Sequence, residues 1–231
     1  MRFKDKKTEN KIKEILLKKL MDTNLHDDCF AINEFGIANF TRRVDIILCK
    51  KESILAFEIK SEFDSLNRLS GQITEYLNHF DKVTVIAASK HIKNVLIKTP
   101  SNVAVWEVTN SVLKIRRPGR TIPIKNKYVF IRMMTLSELK ALAKKIKINT
   151  AGMKRIEIEG LLGEIPLKTL RAEAFSSIKL RYKKRSINYF DNSESIAKNL
   201  RAREKNKPDL QSRKKSNTLD DFLNAIEKLQ P

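Results

Sequence analysis

The stretch ILAFEIK, residues 54–60, constrains the fold of this chain more than any other feature. Its run of apolar residues is typical of a buried strand. Glu58 and Lys60 nevertheless lie two residues apart within it, and side chains two apart in a strand point to the same side of the sheet. One face of an otherwise apolar strand therefore carries a carboxylate next to an amine.

The apolar pattern on either side of this strand predicts an α/β fold. Helical spacing over 8–21 predicts a first helix, and two extended runs within 29–49 predict two strands before residues 54–60. The pattern then predicts a helix, a strand, a short helix and a strand, over 65–80, 83–89, 90–98 and 103–108. This α-β-β-β-α-β-α-β order is typical of a mixed sheet flanked by helices.

Charge is distributed unevenly along the chain. The 231 residues carry a net charge of +20, yet the first 110 hold 18 Lys and Arg against 15 Asp and Glu. The basic excess therefore lies in the second half, and a surface this basic favours a polyanion such as DNA as partner. No apolar run approaches the roughly 20 residues of a membrane span, so we expect a cytoplasmic protein that does not bind membranes. The two cysteines form no Cys/His cluster, and neither a zinc site nor a disulfide framework is expected.

A further acidic residue, Asp45, lies in the strand that precedes residues 54–60. If Lys51 and Glu52 form the turn of a two-residue hairpin, the numbers of paired residues sum to 103 and Asp45 lies opposite Glu58. A register two residues different would place Asp45 opposite Lys60. In both registers two carboxylates and an amine meet on one face of the sheet.

Two interpretations of this group of charges follow. Carboxylate oxygens are ligands that Mg²⁺ prefers, and a bound metal can activate water for phosphodiester hydrolysis. An amine beside it can orient that water or contact the phosphate. The alternative is a surface ion pair on a half-exposed sheet, which needs no chemistry.

Two short motifs resemble the PD-(D/E)XK nuclease superfamily. They are RRVDIIL at 42–48 and AFEIKS at 56–61, with Val44 in place of the proline of the motif. The resemblance implies a restriction-endonuclease-like core (αβββαβ) and hydrolysis of DNA with Mg²⁺, for which Mn²⁺ can substitute.

The resemblance also implies roles for individual residues. The positions of Asp45 and Glu58 bind the metal together with the main-chain carbonyl of Ile59, and the position of Lys60 orients water or contacts the phosphate. Gln72 and Tyr76 match the Q-x-x-x-Y pattern of the RecB-like branch, where these residues contact substrate or brace the site. Their spacing places both on one face of a helix, with Arg68 one turn earlier. Arg68 and Tyr76 are candidate DNA contacts; for Tyr76, core packing is the alternative.

A closer resemblance links residues 10–110 to small, largely uncharacterised bacterial nuclease-like proteins of that superfamily, and it fades by about residue 185. It includes Glu34, a candidate third metal ligand, and Arg43, a candidate DNA contact. Glu14 on the first helix is a weaker ligand candidate, and a solvated helix charge is the favoured interpretation for it.

The second half is expected to be basic and helical, with helices over 136–146, 154–163 and 167–185. Its leucine spacing and Gly152 resemble a SAP or helix-extension-helix DNA-binding module over 135–163; a two-helix support packed on the core is the alternative. The basic residues expected to contact DNA there are Lys144, Lys145, Lys154, Arg155, Lys183 and Lys184. The predicted organisation is a nuclease core, a basic connector, a helical region and a flexible basic tail with a short terminal helix, over 1–110, 111–134, 135–190 and 191–231.

The sequence therefore predicts a Mg²⁺-dependent deoxyribonuclease. The rival is a nuclease fold that binds DNA or a partner without catalysis, and RNA is a less favoured substrate. Duplex or branched DNA is the preferred partner. The pattern leaves open whether the protein is a homodimer and whether it cuts internally or from ends.

Overall fold

A six-stranded mixed sheet forms the centre of the fold. The computed structural model describes residues 8–22, 29–37, 42–50 and 53–182, and the structural statements below concern this part of the chain. The strands are β1 (Cys29–Ile37), β2 (Arg42–Lys50), β3 (Ser53–Lys60), β4 (Lys82–Ala88), β5 (Ala104–Thr109) and β6 (Val112–Arg117).

Seven helices surround this sheet. They are α1 (Glu9–Asp22), α2 (Leu69–Leu77), α3 (Ile92–Lys98), α4 (Lys127–Met133), α5 (Leu136–Lys145), α6 (Arg155–Leu162) and α7 (167–182). The sequence predicted six of them closely; α4 was not foreseen.

The strands lie side by side in chain order, but their directions differ. The pairs β1–β2, β2–β3 and β5–β6 are antiparallel, whereas β3–β4 and β4–β5 are parallel. Parallel neighbours require a crossover connection, and α2 and α3 supply the two crossovers. The predicted α/β class, a mixed sheet flanked by helices, is confirmed.

The segment 111–134, expected to be a basic connector, contains β6 and α4. In β6, Leu113 is buried while Val112 and Lys114 on either side of it are exposed. This alternation is typical of an edge strand with one solvated face. The expectation of a connector gave too much weight to the basic residues and to the proline and glycine that follow the strand.

Each face of the sheet has its own apolar core. Helix α1 packs on one face through Ile12, Leu16 and Leu20, which contact Phe57 and Trp106 of the strands. The other face packs against α2, α3 and all four later helices, with Tyr76, Val95, Phe130, Leu139, Ile158 and Phe175 among the buried residues. The helices after residue 126 therefore share one core with the sheet.

Asp81, the residue before β4, ties three distant segments together. Its side chain is 3% exposed, and its two oxygens accept hydrogen bonds of 2.8 Å from the backbone N–H groups of Ile54 and Ile124. Arg171 of α7 forms an ion pair with the same carboxylate. One buried side chain thus joins the start of β3, the segment before α4 and the last described helix.

Some predictions fall outside the described residues: the end of the helix expected to reach residue 185, Lys183, Lys184 and the tail over 191–231. Within the described residues, no helix is both long and apolar enough to cross a bilayer.

Candidate active site

The Glu58–Lys60 pair lies inside the protein. Glu58 is 1% exposed and Lys60 8% exposed, so the alternative of an ion pair on a half-exposed sheet is wrong. The Lys60 Nζ atom lies 2.6 Å from Glu58 Oε1. Gln72 of α2 joins both groups: its Nε2 donates to Glu58 Oε1 at 2.7 Å, and its Oε1 accepts from Lys60 Nζ at 3.1 Å. The three side chains form a closed hydrogen-bonded triangle.

Tyr76 of α2 supports this triangle through a hydrogen bond to Glu58. Its side chain is fully buried, and its hydroxyl lies 2.8 Å from both Glu58 Oε2 and the carbonyl oxygen of Arg43. The single hydroxyl proton can be donated to only one of them at a time. Burial, followed by the charge of Glu58, raises the pKa of Tyr76, so it stays a donor. The prediction that Tyr76 contacts DNA is wrong, because its ring packs inside the core.

Asp45 lies beside this triangle at the place where β2 separates from β3. The described pairs of the two strands run from Lys50–Ser53 to Ile46–Phe57, which confirms the predicted register. Asp45 Oδ2 accepts a hydrogen bond of 2.7 Å from the backbone N–H of Ile59. Burial and then the charge of Glu58 raise the pKa of Asp45 to about 7, against the opposing effect of the Ile59 hydrogen bond.

In both β1 and β2 the alternation of side chains between the two sheet faces is interrupted at this point, while the pairing register of the two strands stays constant. In β1, Ile32 and Phe35 face the same core although they are three residues apart, and Glu34 between them has φ of 57°. In β2, Val44 and Ile47 show the same three-residue interval around Asp45. A positive φ is unusual for a residue other than glycine and costs of the order of 1–3 kcal/mol. Glu34 and Asp45 occupy the position between the Asn33–Ile46 and Phe35–Val44 pairs, so the two acidic residues lie opposite each other at this interruption.

Glu9, Glu34 and Asp45 form a group of carboxylates, one from each of α1, β1 and β2. One oxygen of each lies within 4.8 Å of the others. Lys13 of α1, which is buried, lies among them, with its Nζ 2.6 Å from Glu9 Oε1 and 3.0 Å from Glu34 Oε1. Burial lowers the pKa of Lys13, but hydrogen bonds to Glu9 and Glu34 and their charges outweigh it and leave the pKa raised.

The acidic residue that α1 contributes is Glu9; Glu14 lies outside the carboxylate group, in line with the solvated helix charge favoured for it. Glu14 instead pairs with Lys11 at 3.1 Å. Glu9 lies three residues before buried Ile12 and so on the same helix face, whereas Glu14 is turned from Ile12 by about 200°. Helical spacing alone could have identified Glu9.

The donor set fits a hard divalent cation. Of the predicted ligands, Glu34 and Asp45 lie in the carboxylate group, and Glu9 joins them as an unpredicted third. Glu58 Oε1 already accepts two hydrogen bonds, but Oε2 accepts one and keeps a lone pair. Oxygen-rich sets of this kind suit Mg²⁺. Lys13 would compete with a metal ion for these ligands, because its ammonium group already neutralises Glu9 and Glu34.

The predicted DNA contacts differ in their surroundings. Arg43 and Arg68 are exposed, on β2 and just before α2. Arg43 also forms an ion pair, with its Nη1 3.4 Å from Glu34 Oε2. Lys144 and Lys154 are exposed on α5 and before α6. Lys145 pairs with Glu173, and Arg155 donates to Glu159 at 2.6 Å and to the carbonyl oxygen of Met134 at 2.9 Å. These last two residues thus connect the C-terminal helices.

A cavity of about 630 Å³ lies between β1, α2 and the C-terminal helices, away from the carboxylate group. Its arginines are engaged by protein groups: Arg155 by Glu159, and Arg181 by the carbonyl oxygen of Met133 and by Glu138 at 3.3 Å. His79, also in its wall, lies 3.4 Å from Glu75. The third arginine of the wall, Arg132, lies with its Nε 3.9 Å from Glu159 Oε2. Because these cations already face protein groups, the cavity is a poorer candidate than the carboxylate group.

Fold and site together define an α/β protein in which a central strand buries an acid–lysine pair beside three clustered carboxylates. The chain belongs to the family "Bacteriophage P4 protein cII", whose profile matches residues 2–212. It is 34% identical over 179 residues to protein cII of Enterobacteria phage P4, a match that covers 75% of this chain and 67% of that protein. Among solved structures it is similar to the SPO1766 protein of unknown function from Silicibacter pomeroyi, with a TM-score of 0.43, 14% identity, and coverage of 64% of this chain and 99% of that one.

The raised pKa of Asp45 predicts a pH-dependent stability. Its pKa is about 7 in the folded protein against an ordinary 3.8, so between these values the folded state binds more protons than the unfolded state. The free energy of unfolding without divalent metal is therefore expected to fall as pH rises from about 4 to about 7, by up to a few kcal/mol. Urea unfolding in EDTA across this range would measure it, with Asp45→Asn as control. Equal pH slopes for wild type and variant would contradict it.

Proposed function

We propose that this protein is a metal-dependent deoxyribonuclease with a restriction-endonuclease-like core, acting in the cytoplasm. The observation that carries the proposal is the buried Glu58–Lys60–Gln72 triangle with Asp45 beside it. Burying a lysine and two carboxylates is costly unless their charges are matched, and a purely structural role is served as well by apolar residues. Buried charged groups at a strand end, next to further carboxylates, are typical of a catalytic site.

The carboxylates would hold the metal. Asp45, Glu34 and Glu9, with Glu58 Oε2 and the carbonyl of Ile59 as further donors, supply the oxygen ligands. A bound Mg²⁺ lowers the pKa of a coordinated water and neutralises charge on a phosphate. Mn²⁺ accepts the same ligands.

Lys60 is proposed to act directly on the reacting groups. Its ammonium group has three N–H donors. One is donated to Glu58 and one to Gln72, which leaves the third for a water molecule or a phosphate oxygen. Because Gln72 and Glu58 fix the position of Lys60 Nζ, the third N–H donor is already positioned before substrate binds. Gln72 is thus a positioning residue in this proposal.

DNA is the proposed substrate because of charge. The net charge of +20 favours a polyanion, and the exposed side chains of Arg43 and Arg68 lie on the elements that carry the site. Lys144 and Lys154 are further exposed basic side chains, on α5 and just before α6.

A second candidate function is DNA binding without cleavage. The observation that favours it is Lys13, which already neutralises Glu9 and Glu34 as a permanent internal cation. In that case the carboxylates would be part of a structural ion-pair network.

Incubation of the full chain with nucleic acid separates the two functions. Supercoiled plasmid, linear duplex, branched and single-stranded DNA, and RNA, would be incubated with Mg²⁺, Mn²⁺ or EDTA. We expect cleavage of DNA with either metal and none in EDTA. Binding of DNA without cleavage under any of these conditions would support the second function and exclude the first.

Glu9 and Glu14 offer a matched pair for testing the metal ligands. Both are glutamates of α1, but only Glu9 lies in the carboxylate group. Glu9→Gln is expected to weaken binding of Mn²⁺ by about tenfold or more, since it removes one ligand charge. Glu14→Gln should leave it unchanged. Isothermal titration calorimetry measures both, and equal affinities of the two variants would exclude Glu9 as a ligand.

A further inference from the structure

The residues that follow Lys60 form a tight turn held by its own side chains. The Asp64 carboxylate accepts from the backbone N–H of Ser61 at 2.7 Å and from its hydroxyl at 2.5 Å. The Asp64 N–H donates to the Ser61 carbonyl at 3.3 Å, and the Phe63 N–H donates to Ser61 Oγ at 3.3 Å. With four hydrogen bonds over residues 61–64, this turn is a rigid extension of β3.

The turn presents an aromatic ring at the site. Phe63 is 63% exposed, whereas Ser61 at the base of the turn is buried. Phe63 lies three positions after Lys60 in the chain, so their Cα atoms are at most about 11 Å apart, and the closed turn makes them closer. An exposed aromatic residue thus lies within about one nucleotide spacing or two of the lysine proposed to contact the phosphate.

We propose that Phe63 stacks on an unpaired base of the DNA strand next to the phosphate that Lys60 contacts. This inference rests on the proposed function and names the substrate: DNA that is single-stranded, or has an unpaired base, at the site. Every nucleobase has a flat face that stacks on an aromatic ring, whereas the bases of intact duplex are already stacked on one another. Exposed Arg68, at the start of α2, can contact the adjoining phosphates.

A nucleobase fits this position better than a protein partner. The residues next to Phe63 in the chain are polar: Glu62, Asp64, Ser65 and Asn67 are exposed or half-exposed. A protein partner requires a contiguous apolar patch of several hundred Å², which one ring among polar side chains does not supply. A single base is covered by a single ring.

The test compares three substitutions of Phe63 in DNA binding without metal. Fluorescence anisotropy in EDTA would measure binding of the full chain to labelled oligo(dT) and to a blunt duplex of equal length. Phe63→Ala and Phe63→Leu are expected to weaken binding of oligo(dT) by about tenfold and of duplex by less than twofold, and Phe63→Trp to preserve both. Ile97→Ala, which removes an equally exposed apolar side chain from α3, is the control and should change neither.

The outcomes separate this inference from the proposed function. Equal weakening on both DNAs, or no weakening by Phe63→Ala, would overturn the role of Phe63 even if the protein cleaves DNA. A selective loss of oligo(dT) binding in a protein that does not cleave would keep the stacking role and exclude the nuclease. Quenching of 2-aminopurine placed in the oligonucleotide, lost in Phe63→Leu but retained in Phe63→Trp, would show stacking directly.

Discussion

Replacing Lys60 with methionine is expected to reduce Mg²⁺-dependent DNA cleavage by about a thousandfold or more. The substitution keeps the length of the side chain but removes the N–H donor that we assign to water or phosphate. Loss of one positioned donor in a buried site costs about two to three orders of magnitude in rate, and loss of the adjacent positive charge adds to this. The rate of plasmid cleavage with Mg²⁺ in excess, compared with wild type, is the measurement.

Asp45→Asn provides the companion variant for this experiment. It removes a metal-ligand charge, and cleavage should fall to a similar extent. The two variants differ in their expected effect on stability. Lys60→Met leaves the buried Glu58 without its cation, whereas Asp45→Asn removes a carboxylate whose pKa is already raised by burial. The fold of Asp45→Asn should therefore be at least as stable as wild type near neutral pH without metal, and lost cleavage cannot be attributed to unfolding.

A control and a decisive outcome complete this prediction. Lys114→Met changes an exposed lysine on the edge strand β6 and should leave cleavage unchanged. DNA binding in EDTA should stay within about threefold of wild type for all three variants, because bulk charge dominates it. Undiminished cleavage by both Lys60→Met and Asp45→Asn would rule out the assigned site.

Asp81→Ala is expected to destabilise the protein by about 3–5 kcal/mol. The substitution leaves the N–H groups of Ile54 and Ile124 without their acceptor and leaves the mostly buried charge of Arg171, a residue of α7, without its partner. Removing one partner of a buried pair costs about this much. Urea unfolding followed by circular dichroism would measure the change.

Lys145→Ala is the matched control for Asp81→Ala. It breaks the ion pair with Glu173, but Lys145 is exposed, so the expected cost is below about 1 kcal/mol. Asp81→Asn should lie between the two, since its side chain keeps one oxygen acceptor. A change under about 1 kcal/mol for Asp81→Ala would show that the three segments are held together by apolar packing alone.

The pairing of β2 with β3 could be predicted because a two-residue turn leaves few registers open and the side-chain period of two is strict. The neighbourhood of Glu58, Lys60 and Gln72 followed from that register and from the motif on the next helix. These residues are close in the chain or joined by one hairpin, so the periodicities of strand and helix are enough to predict that they lie near one another.

The parts that could not be predicted depend on contacts between distant segments. Glu34 and Asp45 lie opposite each other in the pairing of β1 with β2, a register that no short turn or motif in the sequence predicts. The positive φ of Glu34 has no sequence signal either, because the residue is not a glycine. Lys13 is buried only because β1 brings Glu34 across from α1. Tyr76 lies on the same face of α2 as Gln72, a spacing that suits a contact with substrate. It is buried nevertheless, because α4 and the later helices pack on the same face of the sheet. Asp81 binds segments 27, 43 and 90 residues away in the chain.

The shared core of the sheet and the later helices has a consequence for how the molecule folds. A chain ending near residue 110 would leave the sheet face that carries Ile32, Val83 and Val105 without the side chains of Phe130, Leu139 and Phe175 that cover it. We therefore expect the acidic site and the basic helices to unfold together, in a single cooperative transition. The basic helices are therefore not an independent domain that could be replaced without affecting the sheet. A substitution that changes their packing is expected also to affect the strands that hold the carboxylates.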